Sequence, residues 1–272
     1  MSIAGWLPAD WPKAIVPIAV RVGENFVPVG TAFLVKHEGL NCLITAKHVV
    51  FGDNGQPRNG LFILSNRVGG GGGNFIPLDE LTSLGVSWKT IEGGDVAATI
   101  MPSDATYDIK RFTVALFESF SNVREGDDVF FLGFPLSLGV SQTAKITPIV
   151  RAGMVALKNE DRSFLIDANV FPGNSGSPVF FRPCPFEFVP EGLRAGRIRP
   201  PKLIGLLTSV ITYTDEAVSR QTGKTRVTFE ENSGLASALS IELVTEVLNS
   251  NGFQSMVRAI IARERGNSPT PT

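Results

Sequence analysis

The chain has 272 residues, 43% of them hydrophobic, which is enough to bury a large core in one large domain or two small ones. Its formal net charge of −1 gives no electrostatic indication of binding to nucleic acid or to an anionic membrane. Two cysteines are few for a disulfide-stabilised secreted protein of this size, so we expect Cys42 and Cys184 to be buried thiols, and their pairing stays open.

The first half of the chain alternates short apolar runs with turn residues, a pattern typical of β-strands. Predicted strands there cover residues 14–20, 30–35, 41–45, 61–64, 85–91, 95–101 and 112–117. The turn His37-Glu38-Gly39 joins the second strand to the third. Five glycines at 69–73 could resemble a phosphate-binding loop, but no Gly-Lys-Ser/Thr follows, so we predict a flexible hairpin loop.

The second half repeats the strand pattern and then changes to a helical one. Its predicted strands cover residues 128–135, 144–156, 163–168, 177–181, 202–212 and 225–229. Residues 182–201 have five prolines, four arginines and no periodicity, which predicts a surface loop without regular structure. Apolar residues then recur every three or four positions from Ile241 to Leu248 behind Ser240 as N-cap, which predicts a helix, and a second helical segment covers 253–262.

A glycine-rich loop at residues 171–178, which we call the serine loop, is the first candidate for a catalytic site. Ser175 has Gly173 two residues before it and Gly176 directly after it. Glycines so close to one hydroxyl predict a tight loop that exposes the serine oxygen and directs backbone N–H groups to one point, as acyl transfer requires. The same composition is typical of any surface turn, so the loop alone leaves both interpretations open.

A serine nucleophile needs a base, and the chain has only two histidines. His37 lies in the polar turn and is most simply a solvated side chain. His48 lies in the run Leu43-Ile44-Thr45-Ala46-Lys47-His48-Val49-Val50. This run closely resembles the histidine motif of trypsin-like (chymotrypsin-fold) serine proteases, where the strand ends in Thr-Ala-x-His-Val. A purely structural histidine is the alternative at this position.

The third member of such a triad is a carboxylate that orients the imidazole. Asp95 follows two glycines and heads the apolar run 96–100, where a charge needs a partner. This segment resembles the Asp-x-Ala segment of the same family, and Asp108 is the fallback. The order His48, Asp95, Ser175 is also the family's order along the chain.

The resemblance covers about residues 30–248 and implies an all-β fold, with two six-stranded antiparallel Greek-key barrels and a C-terminal α-helix. The implied division is 1–122 for the barrel with His48 and Asp95, 123–239 for the barrel with Ser175, and 240–272 for the helix and tail. Residues 234–240 are similar to the closing segment of the HtrA-like branch, although too few residues follow for the PDZ domain of that branch. Asn174 stands where digestive trypsins have an aspartate that pairs with a new N-terminus, so we expect no activation cleavage.

The implied activity is that of a serine endopeptidase that uses His48, Asp95 and Ser175 and forms an acyl-enzyme. The resemblance places the oxyanion between the N–H groups of Gly173 and Ser175. It also predicts a specificity pocket, formed by Asn169, Thr208, Ser209 and Val210. No acidic residue matches the base of that pocket, which favours a small or medium apolar residue at the cleaved position.

We expect a protein or peptide substrate, no cofactor, no metal ion, and no nucleic-acid or membrane partner. The first 20 residues lack the features of a signal peptide, and no stretch reaches the ~18 apolar residues of a spanning helix, so we expect a cytoplasmic protein. Such a protease needs restraint, which predicts gating by a regulatory protein or by the serine loop. The alternative function is a catalytically silent protease-fold module that binds a partner. A nucleophile elbow is excluded, because it needs Gly-x-Ser-x-Gly and a histidine that comes last.

Overall fold

Strands dominate the computed structural model, which describes residues 7–70, 72–138, 140, 145–189 and 192–266. The first half forms an eight-stranded sheet. Its strands are β1 (Ile15–Val22), β2 (Asn25–His37), β3 (Leu40–Thr45), β4 (Leu61–Asn66), β5 (Gly73–Pro77), β6 (Lys89–Thr90), β7 (Ala97–Met101) and β8 (Phe112–Thr113). They are ordered β5-β4-β1-β2-β3-β7-β6, and β8 adds to β2 as the parallel pair of this sheet.

Two helices interrupt this sheet, and the second half of the chain adds eight strands. The helices are α1 (Lys47–Val50) and α2 (Asp79–Ser83). The strands are β9 (Asp128–Gly133), β10 (Ile149–Lys158), β11 (Ser163–Asp167), β12 (Pro178–Phe181), β13 (Cys184–Val189), β14 (Gly192–Arg199), β15 (Leu203–Val218) and β16 (Thr225–Ser240). Six of them close into a barrel in the order β10-β11-β16-β15-β12-β9, and β13 pairs with β14 alone.

The sheet and the barrel share an aromatic core. Trp11 lies before β1 and contacts Phe112 of the sheet at a ring-centroid distance of 5.2 Å. It also contacts Phe180 of the barrel at 4.8 Å, and Phe180 stacks on Phe130 at 5.1 Å. All three phenylalanines are at least 98% buried, and each such side chain contributes about 1.5–3 kcal/mol through burial. This packing holds the two halves together, and the serine loop lies between them.

Two helices end the described chain, α3 (Ile241–Asn249) and α4 (Asn251–Gly266). The apolar residues predicted to share one face of α3 are all buried, and Ser240 Oγ accepts a hydrogen bond from the N–H of Glu242, so both helix predictions are confirmed here. Among the described residues no helix combines the length and the apolar character that crossing a membrane requires.

The expected all-β class is confirmed, with several local differences. The first half has an eight-stranded sheet where the resemblance implied a six-stranded barrel, and β5 is the strand that no predicted range covers. The strand predicted at 85–91 shrinks to Lys89–Thr90, and the one at 112–117 shrinks to Phe112–Thr113 before a 3-10 turn. The glycine run joins paired strands, since Asn66 lies opposite Gly73, and Gly71 lies outside the described residues.

The prediction of a loop without regular structure at 182–201 is wrong. Cys184–Val189 and Gly192–Arg199 form an antiparallel hairpin. These two strands pair only with each other among the described strands. Five prolines and the lack of apolar periodicity left no strand signal in the sequence of this segment. The buried state expected of Cys42 is confirmed, and that side chain is a free thiol, while the side chain of Cys184 lies outside the described part of the structure.

Candidate active site

His48 lies at the point where β3 gives way to the single helical turn α1. Val49 and Val50 of this turn are buried and fix it against the core, while the His48 side chain remains 48% exposed. The turn therefore holds the backbone of His48 in place while its imidazole remains accessible at the surface.

Asp95 holds His48 at two points. Its Oδ2 lies 2.7 Å from His48 Nδ1, and its Oδ1 accepts the backbone N–H of His48 at 2.9 Å. Because a carboxylate can only accept, the ring donates from Nδ1, and in the neutral form of the ring the lone pair lies on Nε2. The fallback residue Asp108 instead forms an ion pair with Lys13 at 3.0 Å and raises the pKa of that lysine. The structure thus brings Asp95, and not Asp108, to His48.

Ser175 lies across a cavity from His48. The cavity has a volume of about 240 Å³ and is lined by His48, Val170, Phe171, Pro172, Ser175, Leu207, Thr208, Ser209 and Val210. The Ser175 hydroxyl donates to the backbone carbonyl of Thr208 at 3.0 Å. Within the described part of the chain, no hydrogen bond joins Ser175 Oγ to His48. The serine and the histidine therefore line one cavity, and in this structure they are not hydrogen-bonded to each other.

Two peptide groups of the serine loop have fixed orientations. The carbonyl of Pro172 accepts the N–H of Leu136 at 2.9 Å, and the carbonyl of Asn174 accepts the N–H of Ser177 at 2.9 Å. In a trans peptide the C=O and the N–H point in opposite directions. Each of these two hydrogen bonds therefore fixes the N–H of the next residue so that it points away from the donor that the carbonyl binds. Those two N–H groups belong to Gly173 and Ser175, and among the described residues neither has a hydrogen-bond acceptor.

Gly173 cannot easily be another residue. Its φ of +98° lies in the region that favours glycine, and a Cβ there would lie 2.3 Å from the carbonyl oxygen of Phe134. The predicted need for bare backbone in this loop is therefore met at Gly173, where both the conformation and the space require it.

Thr31 of β2 connects the sheet to the serine loop of the barrel. Its Oγ1 donates to the carbonyl of Gly173 at 2.7 Å and accepts the N–H of Phe134 at 3.1 Å. Its backbone N–H donates to the carbonyl of Ser175 at 2.8 Å. The carbonyl of Thr31 in turn accepts from Thr45 Oγ1 at 2.7 Å, and Thr31 is completely buried. Sequence reasoning missed this residue.

Comparison with known proteins decides the family. A family model for the trypsin-like peptidase domain matches residues 30–182, which is more than half of the chain. The chain belongs to the trypsin-like peptidase family. A search of curated proteins gives no match.

Similar solved structures include an HtrA-type protease, AlgW with a tripeptide, at 17% identity, a TM-score of 0.48, and coverage of 90% of this chain and 62% of that one. Another is a serine endoprotease from Yersinia pestis, at 17% identity, a TM-score of 0.46, and coverage of 92% and 64%. This trypsin-like peptidase chain therefore spans less than two thirds of the length of either structure.

Three of the four residues predicted to form the specificity pocket of this trypsin-like peptidase line the cavity. Thr208, Ser209 and Val210 do so, whereas Asn169 is exposed and is not part of the lining. Val170, the residue that follows Asn169, is buried and lines the cavity. Among the residues that line the cavity, His48 is the one with an ionisable side chain, so its walls are mainly apolar.

Asn174 and Ser177, both in the serine loop of this trypsin-like peptidase, have fully buried side chains. Neither polar atom of the Asn174 side chain, nor Ser177 Oγ, has a hydrogen-bond partner among the described residues. A Cβ on Gly133 would lie 2.1 Å from Ser177 Oγ and 2.7 Å from Asn174 Oδ1, so these groups fill the space over a bare backbone.

Proposed function

We propose that this trypsin-like peptidase is an active serine endopeptidase with His48, Asp95 and Ser175 as its triad. The observation that carries the proposal is the His48–Asp95 pair, at 2.7 Å, facing the same cavity as a serine on a glycine-rich loop. In this arrangement the carboxylate orients the imidazole and balances the charge that the ring gains during the reaction.

The reaction begins when the Ser175 hydroxyl turns from the Thr208 carbonyl toward His48 Nε2. The hydrogen bond it gives up is worth about 0.5–1.5 kcal/mol net, so its loss is a small part of an enzymatic barrier. His48 Nε2 then takes the hydroxyl proton while Ser175 Oγ bonds to the peptide carbonyl carbon. The carbonyl electron pair moves onto oxygen, and the N–H groups of Gly173 and Ser175 hold the oxyanion.

The tetrahedral intermediate collapses when His48 returns the proton to the leaving nitrogen and the peptide C–N bond breaks. The acyl group remains on Ser175 until water, deprotonated by the same imidazole, displaces the serine oxygen. The apolar walls of the cavity favour a small or medium apolar residue at the acyl end of the cut bond. The substrate backbone pairs with the cavity side of β15 at residues 207–210.

One observation supports a second candidate, a silent module that binds a partner without cleaving it. In the structure Ser175 is hydrogen-bonded to Thr208 and not to His48, as it would be in a resting or inactive loop. The two candidates make different predictions for an unfolded protein such as β-casein.

We expect the wild-type chain to cut β-casein into defined peptides, and the variants Ser175→Ala and His48→Ala to lose at least 10³-fold of the rate. A matched control is Ser177→Ala, on the same loop but outside the cavity lining, which should keep the cleavage sites unchanged. Binding of β-casein by wild type without any cleavage would favour the silent module.

A further inference from the structure

β15 and β16 continue far beyond the barrel as a two-stranded ribbon. Their pairing extends from Gly205 opposite Ser240 out to Val218 opposite Thr225. We call residues 212–233 the arm. All of its residues are exposed except Ser219 at the turn, which is half-buried. A two-stranded ribbon with no covered face is only marginally stable in water, so this length calls for an explanation.

The two faces of the arm differ in chemistry. Register pairs place Tyr213 opposite Glu231, Asp215 opposite Phe229 and Ala217 opposite Val227, so these six side chains share one face. Tyr213, Val227 and Phe229 are 49%, 50% and 47% exposed. On the opposite face the three pairs Thr212–Asn232, Thr214–Glu230 and Glu216–Thr228 are polar, and Val218, 53% exposed, follows them at the end of β15. One face of the arm is therefore mainly apolar and lacks a cover among the described residues.

The outer edge of β15 begins inside the active-site cavity. β12 pairs with β15 only as far as Leu206, and the next residue, Leu207, is hydrogen-bonded on that side to the serine loop. Thr208 directs its carbonyl to Ser175, and Ser209 and Val210 line the cavity. Beyond them, no described strand pairs with this edge up to Val218. From the serine to the end of the arm this edge therefore has no described strand beside it, and its one irregularity on β15 is the register shift at Thr208.

The base of the arm is also fixed to the cavity wall. Asn232 Nδ2 donates to the carbonyl of Val170 at 2.6 Å, and Val170 lines the cavity. Ser233 Oγ donates to the carbonyl of Ile211 at 2.6 Å and ties the two strands together there. These bonds hold the arm in one direction relative to the cavity.

We propose that the arm is an extended subsite for the part of a polypeptide substrate that lies N-terminal to the cut bond. This inference rests on the proposed endopeptidase function. Both described neighbours of β15 are antiparallel to it, and a substrate strand added in the same sense runs from the end of the arm toward Ser175. Eight residues of β15, Ile211–Val218, then pair with about eight substrate residues over about 26 Å.

The substrate class that follows is a long, unfolded or extended polypeptide. Alternate side chains of an added strand lie beside Tyr213 and extend the apolar face, so apolar residues at every second position are favoured. The backbone supplies the remaining recognition, which is independent of sequence but excludes proline and folded structure. The continuity of the edge with the cavity favours this occupant over a second copy of the chain.

The test uses quenched-fluorescence peptides built on a site that the full-length chain cuts in β-casein. The peptides share their residues around the cut and have four, seven or ten residues before it. We expect kcat/KM to rise about tenfold from four to ten residues, an increase that a few net backbone hydrogen bonds produce. A variant in which Asn-Gly replaces residues 214–230, between the opposed Tyr213 and Glu231, should show less than a twofold rise and an unchanged rate on the four-residue peptide.

Backbone pairing has its own readout. Two ten-residue peptides N-methylated at odd or at even positions before the cut should differ, because only alternate N–H groups of a strand face its neighbour. Equal rates for the two would overturn the pairing. On the apolar face, Phe229→Thr should reduce the advantage of alternate apolar residues, whereas Thr228→Ser on the polar face should leave it intact.

Other outcomes overturn the inference or the function beneath it. Cleavage that does not depend on peptide length, or on the arm, removes the arm from substrate binding while the endopeptidase stands. An arm-shortened variant that changes from dimer to monomer by light scattering, but keeps the length dependence, makes the arm a contact between copies instead. Absence of cleavage of every peptide and of β-casein by wild type defeats the proposed function itself.

Discussion

The hydroxyl of Thr31 offers the most demanding test of how the serine loop is held. Replacement by valine keeps the shape of the side chain and removes Oγ1. The carbonyl of Gly173 then loses its donor and the N–H of Phe134 loses its acceptor, in a site with no solvent exposure. A buried polar group left without a partner costs about 1–3 kcal/mol, so the two together cost about 2–6 kcal/mol of stability.

The expected result for Thr31→Val is a loss of both stability and rate. The free energy of unfolding in urea should fall by a large share of the 5–15 kcal/mol typical of a domain. The Gly173 peptide also loses its anchor, and removal of one oxyanion donor costs about 10²–10³ in kcat, so peptide cleavage should slow about 100-fold under conditions where the variant is folded.

Thr31→Ser is the matched control, because it restores Oγ1 and removes only a methyl group. It should recover most of the lost rate. Cleavage and unfolding of Thr31→Val that both match wild type would refute the view that this hydroxyl holds the loop.

Three further predictions concern single side chains. Asp95→Asn should lower kcat about 10⁴-fold without unfolding the chain, since an amide favours the wrong tautomer of His48. Asp108→Asn should keep kcat close to wild type and lose only the Lys13 ion pair. Equal losses of kcat for the two variants in peptide-cleavage assays would contradict the assignment of Asp95 to the triad. Gly173→Ala should lower the free energy of unfolding in urea by at least about 1–3 kcal/mol and abolish cleavage, because its Cβ would lie 2.3 Å from the carbonyl oxygen of Phe134. The control Gly126→Ala, also at positive φ but with open space around its Cβ, should cleave peptides normally. Burial raises the pKa of the Cys42 thiol from 9.0 to about 12, so the stability that this group contributes is complete below pH 9 and is lost as pH rises toward 12. A Cys42→Ser variant should lack this part of the loss of stability at alkaline pH. Rapid alkylation of Cys42 in the native chain at pH 8 would contradict its burial.

The residues of the His48 and Asp95 motifs could be read from the sequence because their signal is local. His48 follows an apolar strand and Asp95 precedes one, and each motif is a continuous segment of eight residues or fewer. Their mutual contact joins positions 47 residues apart along the chain, yet the family's order of motifs was enough to predict it.

Features that depend on contacts between the sheet and the barrel could not be predicted. Thr31 binds Gly173 across 142 residues, and nothing in the run Gly30-Thr31-Ala32 distinguishes its hydroxyl from that of any buried strand threonine. The bond from Ser175 to Thr208 likewise depends on a rotamer choice that sequence does not report.

The arm shows why strand ends were also missed. Strands at 202–212 and 225–229 were predicted, but the ribbon extends to Val218 and Ser240. Its outer half is exposed on both faces, so polar and apolar residues need not alternate as they do over a core. The β13–β14 hairpin was not predicted because its segment has five prolines and no apolar periodicity.

The central claim is that Ser175 is a nucleophile activated by His48. A fluorophosphonate probe followed by peptide mass mapping tests it most directly, because the reagent forms a stable adduct only with an activated serine. We predict one adduct per wild-type chain, located on Ser175, and none on the His48→Ala variant after the same exposure. An adduct on another residue, or equal labelling of Ser175 with and without His48, would contradict the claim.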